Sequence, residues 1–173
     1  TRGSIPVPER DFMDFGGNTT CVRLTLTGGK VAIFDAGTGI RKLGKDLIDS
    51  SHEQFDFIPI VLSHTHWDHI QGFPFFSPAY DPRRKFRIFI CGKDCLCTDL
   101  EDVFEAQMRA DFFPVPLRKM GAEFDFWQPD ISEYTSELGD RWRFLRHNHP
   151  GGAYSYRFTE GDKTIVYCTD IEH

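Results

Sequence analysis

No apolar run in this chain approaches membrane-spanning length, which excludes a transmembrane helix, and no signal-peptide pattern opens it. It has no internal repeat, no low-complexity tract and no linker, which leaves one packed domain, 1–173. Positive charge is not in excess: 20 Lys and Arg face 26 Asp and Glu, a net charge of -6. That balance gives no electrostatic footprint for duplex DNA and none for a membrane surface. Five cysteines, an odd number scattered at 21, 91, 95, 97 and 168, do not make a disulfide framework, so a reducing cytoplasm is expected. Nor do they make a zinc ribbon, which needs paired Cys-x2-Cys units. Cys91, Cys95 and Cys97 are spaced Cys-x3-Cys-x-Cys without a second pair, and read as buried small hydrophobes. The initiator Met is absent too. The chain begins Thr1-Arg2-Gly3-Ser4 and stops at Ile171-Glu172-His173, so both ends read as cut, with an N-terminal strand and a C-terminal part expected beyond them.

What the chain does hold is concentrated in six residues. His64-Thr65-His66-Trp67-Asp68-His69 carries three of the seven histidines, with one acid between the second and third. That is four potential metal ligands of two kinds on one short loop. Imidazole nitrogen and carboxylate oxygen suit zinc, and also manganese or iron. The preceding run, Phe57 to Ser63, reads as a buried strand, so the cluster sits where a strand ends and a helix begins.

The rest of the chain alternates strands with a few helices. Cys21 to Thr27 and Lys30 to Asp35 are strand-like and joined by Gly28-Gly29, a hairpin signal. Asp35-Ala36-Gly37-Thr38-Gly39 is a turn, its glycines free to take positive φ. Ile40, Leu43, Leu47 and Ile48 have helical spacing, which predicts an amphipathic helix over Ile40 to Asp49. Phe73 to Tyr80, with three Phe, one Tyr and two Pro, suits a structured loop that packs beneath its surroundings; the alternative is a wall on which a base stacks. Thr98 and Glu101 form a capping box for a helix whose apolar residues are Leu100, Val103, Phe104 and Met108. Phe86 to Cys91, Ala122 to Trp127, Trp142 to His147, Ala153 to Thr159 and Lys163 to Thr169 are further strands. The pattern indicates α+β or layered α/β architecture. Arg83-Arg84-Lys85 reads as the solvated start of a strand, with contact to an anionic substrate as the other reading.

The four ligands of the loop cannot close two metal shells by themselves, since each ion takes about four ligands. His149, in His147-Asn148-His149-Pro150-Gly151-Gly152, and Asp170, after Ile165 to Thr169, both lie at strand-to-loop junctions. Read from the residues alone, each fits a ligand or an ordinary turn residue equally well.

The His-x-His-x-Asp-His spacing at His64, His66, Asp68 and His69 resembles the signature of the metallo-β-lactamase-fold hydrolase superfamily. Gly3 to Pro8, Gly16-Gly17-Asn18-Thr19, Asp35 to Gly39, Phe113 to Leu117, His149-Pro150-Gly151-Gly152 and Tyr167-Cys168-Thr169-Asp170 are similar to its ribonuclease Z-like and cyclic-phosphodiesterase-like branch. The resemblance implies an α/β fold, a four-layer αββα sandwich with metals at one edge of its two sheets. It implies two divalent metal ions, zinc by preference. His64, His66 and His149 would hold the first, and Asp68 and His69 the second, with Asp170 bridging. Asp35 would steady the metal loop from behind the ligands. A last histidine, which the family places well downstream of the bridging aspartate, is not matched. His173, His147 and His52 are poor substitutes for it.

What the resemblance implies for function is a hydroxide shared by two metals and attacking phosphorus or a carbonyl carbon, with Asp68 as the catalytic proton acceptor. The expected substrate is a phosphodiester, a cyclic nucleotide or an RNA-like chain, and homodimerisation is expected as among relatives. The rival readings are a carboxylic ester, lactone or thioester hydrolase of the same fold, and a metal-binding regulatory module without turnover. An iron-holding oxygen sensor is disfavoured, because such proteins place a glutamate where this chain has His66.

Overall fold

The computed structural model describes residues 4–12, 14, 16–49, 57–92, 98–136 and 139–172. Two sheets lie face to face. The first runs β1 (Val22–Thr25), β2 (Val31–Phe34), β3 (Ile58–Val61), β4 (Lys85–Phe89) and β5 (Glu123–Trp127), in that order across the sheet. β1 and β2 form the expected antiparallel hairpin, and β2 to β5 are parallel. The second sheet runs β6 (Glu133–Thr135), β7 (Arg141–His147), β8 (Ala153–Glu160) and β9 (Lys163–Tyr167), all antiparallel. Among the described residues three α-helices connect strands of the first sheet: α1 (Ile40–Asp49) between β2 and β3, α2 (Trp67–Ile70) between β3 and β4, and α3 (Leu100–Gln107) between β4 and β5. Among the described residues no helix is long and apolar enough to cross a membrane.

Strand alternation divides the core in two. Val31, Ile33, Ile58, Ile60, Phe86 and Ile88 point from the first sheet towards α1 and α3, where they meet Ile40, Leu43, Leu47, Leu100 and Phe104. Ala32, Phe34, Val61 and Phe89 point the other way, against Trp142, Phe144, Tyr156 and Phe158 of the second sheet. Successive strand residues face opposite sides, so one sheet serves both cores. The described residues thus build a helical layer and two sheets, three layers of an αββα sandwich.

Helix α1 has the bounds its spacing predicts, but Ile48 lies off its buried stripe and is exposed. The capping box at α3 does not form. Asp99 occupies the cap position without a side-chain bond, and the Thr98 hydroxyl donates instead to the Asp99 carbonyl. Phe73 to Tyr80 folds as two short 3-10 turns that bury Phe73 and Phe76 in the helix-side core and leave Phe75 exposed. Packing accounts for two of its four aromatics, Phe73 and Phe76, while Phe75 and Tyr80 are exposed. Strand β6 has no sequence signal; its three residues are all exposed, so no alternation marks them.

The glycines of the Asp35 to Gly39 turn do not use their freedom to take positive φ. Neither Gly37 nor Gly39 adopts positive φ; Asp35 does, at φ 56°. The glycines are there for close approach. A Cβ on Gly37 would stand 2.5 Å from the Asp68 carbonyl oxygen, and one on Gly72 would stand 2.1 Å from the Gly37 carbonyl oxygen. With no side chains between them, the turn and the histidine loop bond directly: Ala36 N–H donates to the His69 carbonyl (2.7 Å) and Gly72 N–H to the Ala36 carbonyl (2.9 Å).

Candidate metal centre

Strand direction places the site. β2 and β3 are parallel, so Asp35 and the His64 to His69 loop leave the first sheet at the same edge. β8 runs back between β7 and β9, so those two point the same way, and His149 and Asp170 leave the second sheet beside each other. Tyr154 N–H donates to the Ser63 carbonyl (2.9 Å), which ties the two edges together.

Two sets of ligand-type atoms converge there. In the first, His64 Nε2 and His149 Nε2 each lie 2.9 Å from His66 Nδ1. The second is His64, His69 and Asp170, whose Oδ2 is 3.1 Å from His69 Nε2 and 3.5 Å from His64 Nε2. Asp170 Oδ2 is also 3.8 Å from His149 Nε2, so this one oxygen lies between the sets. Asp68 stands beside the second set, with Oδ2 3.5 Å from His69 Nε2 and accepting the Ser4 backbone N–H at 2.8 Å.

The residues behind the ligands settle which ring nitrogens carry protons. Asp35 Oδ2 accepts from His69 Nδ1 (2.7 Å), and Asp35 Oδ1 from the Ser63 N–H (2.7 Å). The Ser63 hydroxyl donates to Asp35 Oδ2 (2.9 Å) and therefore accepts from His64 Nδ1 (3.0 Å). Both imidazoles are thereby left with bare Nε2 lone pairs aimed at the site. His149 Nδ1 faces the Glu172 carboxylate at 3.3 Å, an ion-pair distance whose angle falls short of a hydrogen bond. That carboxylate favours the proton on Nδ1, so His149 also presents a bare Nε2.

This arrangement fits a cation. Three nitrogens of the first set share at most the one proton His66 Nδ1 can carry, and a metal ion would balance the remaining lone pairs. Imidazole and carboxylate donors are of the right chemistry for zinc, manganese or iron. Burial, and then the nearby His69 and His66, push His64 down to about 3, so its lone pair is free at neutral pH. Burial pulls His69 down, but the hydrogen bond to Asp35 and the charges of Asp35, Asp68 and Asp170 outweigh it, and its pKa is raised. The Asp170 carboxyl is pushed up by burial and lowered further by the Thr169 hydroxyl, His69 and His64, with a net downward shift. The field that favours a proton on His69 favours a divalent ion in the same place.

Of the residues named from sequence, His64, His66, His149, His69 and Asp170 are brought together, with Asp68 beside them and Asp35 behind them. His147 is not among the converging groups; it bonds the Thr169 carbonyl. Arg83, Arg84 and Lys85 are elsewhere. They stand at the start of β4, opposite the ligand edge, with Arg83 and Arg84 paired to Asp81 and Lys85 to Glu123. Cys91 is buried between the sheets, as expected. Cys95, Cys97, His52 and His173 lie outside the described residues. Sequence reasoning missed Ser63, Glu172 and the Ser4 amide. Ser63 adjoins the motif and is a recognisable donor, whereas a backbone amide leaves no trace in sequence.

A family described as beta-lactamase superfamily domain matches residues 32–173. The metallo-beta-lactamase fold protein YhfI from Bacillus subtilis is similar in structure, with TM-score 0.59 and 22% identity, over 95% of this chain and 57% of that one. The short form of human tRNase Z is similar with TM-score 0.61 and 15% identity, over 96% and 66%. Unliganded yeast PDE1 is similar with TM-score 0.59 and 15% identity, over 89% and 61%. The chain therefore spans about three fifths of the length of these solved structures. No curated protein matches the sequence.

Proposed function

The chain belongs to the beta-lactamase superfamily, and on that footing we propose that it is a metal-dependent hydrolase acting on a phosphodiester. One observation carries the reading: two convergent ligand sets at one edge of the sandwich, with His64 common to both and Asp170 Oδ2 lying between them. His64, His66 and His149 would hold a first divalent ion. Asp68, His69 and Asp170 would hold a second, with Asp170 shared. Two such ions would supply Lewis acidity and an ionised water at neutral pH.

The protein's own groups do the rest. Asp35 and Ser63 keep the His64 and His69 lone pairs turned inwards. Ser4 N–H occupies Asp68 Oδ2 and leaves Oδ1 to orient the attacking water and accept its proton. Support for a phosphodiester comes from two structures that share the fold and are named as tRNase Z and PDE1. The rival substrate is a carboxylic ester, lactone or thioester. It is favoured by the position of Arg83 to Lys85, which are ion-paired at the far edge and give a phosphate no contact.

A side-by-side assay of the metal-loaded protein with an activated phosphodiester and an activated lactone separates these. Preferential phosphodiester turnover is expected, and turnover of the lactone alone would replace this reading with the rival. Metal binding without hydrolysis of either would leave a regulatory module.

A further inference from the structure

We infer that His147, which is not a ligand, is a positioning residue that holds Asp170 in the second ligand set. The inference rests on the dinuclear reading above. Asp170 needs such support. Strand β9 ends at Tyr167, so Asp170 lies beyond the ladder, and its backbone is left-handed at φ 53°. For a residue with a Cβ that conformation is strained and persists only where its surroundings enforce it.

His147, at the last position of β7, supplies one restraint. Its Nε2 lies 2.9 Å from the Thr169 carbonyl oxygen. A carbonyl can only accept, so Nε2 carries the proton and the neutral ring has a bare Nδ1. The Ser155 hydroxyl, on the intervening strand β8, lies 2.9 Å from that Nδ1 and donates to it. Ser155 Oγ is then free to accept from the Cys168 thiol at 2.6 Å. The bonds run one way, from Cys168 through Ser155 and His147 to the Thr169 carbonyl, and they fix the ring in one tautomer.

The held peptide is the one that sets Asp170. The Thr169 hydroxyl donates to Asp170 Oδ1 (2.8 Å), which turns Oδ2 towards His69 and His64. A second tie, Glu172 N–H to the Asn148 carbonyl (3.0 Å), anchors the far side of the same segment. Releasing His147 frees the Thr169 peptide to rotate and takes Oδ2 out of the second set. The first set, His64, His66 and His149, contains no atom of this segment. Asp170 Oδ2 stands 3.1 Å from His69 Nε2 and 3.8 Å from His149 Nε2, so losing His147 falls mainly on the second ion and less on the first.

The test is zinc titration of the purified chain by calorimetry, with melting followed in parallel, for wild type, His147→Ala and His147→Gln. Wild type is expected to bind two equivalents. His147→Ala should bind the second roughly 10–100-fold more weakly, the usual effect of losing a group that orients a ligand, with the first weakened much less. His147→Gln places an amide N–H where Nε2–H was and should recover most of that affinity. In 15N spectra of the metal-free protein the His147 ring should show only the Nε2–H tautomer. Wild-type affinity for both equivalents in His147→Ala overturns the inference, as does equal weakening of both together with a lower Tm, which marks a merely structural residue. A wild type that binds fewer than two ions overturns the dinuclear reading first and this inference with it.

Discussion

Asp35 Oδ2 accepts the Nδ1 proton of His69 across 2.7 Å, with both side chains buried. The same carboxylate takes the Ser63 amide and hydroxyl and the Tyr167 hydroxyl, so four donors from three segments depend on one side chain. Asp35→Ala would strand them all. Removing one partner of such a buried network costs about 3 kcal/mol or more, a Tm loss of roughly 6–12 °C for a chain of this length. Thermal melting in chelator checks this, and a loss below about 2 °C would count against a buried network centred on Asp35.

Asp68 is set apart from the other acids by its geometry. One oxygen accepts the Ser4 amide, and the same oxygen stands 3.5 Å from His69 Nε2. Asp68→Ala in metal-replete protein should lower turnover of an activated phosphodiester by about 10²-fold or more, the range for a lost general base. Metal content measured on the same sample separates loss of chemistry from loss of ions. Wild-type turnover with metals bound would remove Asp68 from the mechanism.

His64 makes the metal-free protein sensitive to acid. Its pKa is about 3 when folded and 6.5 when free, so between those values the folded state binds fewer protons than the unfolded one. Stability from this group is complete above about pH 6.5 and is lost as pH falls towards 3. The downward shift of Asp170 acts in the same direction at lower pH. In chelator, the Tm of wild type should therefore fall more steeply between pH 6.5 and 4 than that of His64→Gln. Parallel curves for the two proteins would show that His64 is not held neutral.

Gly72 tests the contact between the Asp35 turn and the histidine loop. In an ordinary turn, Gly→Ala is neutral or mildly stabilising, because it restricts the unfolded chain. Here the new methyl would meet the Gly37 carbonyl oxygen, a backbone atom that cannot rotate away. Gly72→Ala should destabilise by about 1–3 kcal/mol, the usual range for overpacking, and should weaken zinc binding, since His69 is held through the same backbone. An unchanged Tm would mean that the two segments are not in contact.

The local elements were legible where one periodicity dominated. Ile40, Leu43 and Leu47 repeat along a helix face and fixed α1 to its observed ends, and Gly28-Gly29 between apolar runs marked the β1–β2 hairpin. Reading failed where a local signal competed with tertiary contacts. Thr98 and Glu101 have capping-box spacing, but Asp99 sits at the cap and Thr98 bonds elsewhere. Gly37 looked like a residue wanted for its φ and was wanted for its missing Cβ.

Sequence by itself determined the ligand chemistry at His64 to His69, because close spacing on one loop guarantees that these side chains share a neighbourhood. It left His149 and Asp170 balanced between ligand and turn. Only the tertiary structure brings them to that loop, His149 to His66 over 83 positions and Asp170 to His69 over 101. The physical reason is strand direction. The antiparallel return of β8 makes β7 and β9 end at one edge, and the packing of Phe34 and Val61 against Tyr156 sets that edge against the ends of β2 and β3. The same geometry turned His147 away from the ligands and onto the Thr169 carbonyl, a role that no spacing along the chain could show.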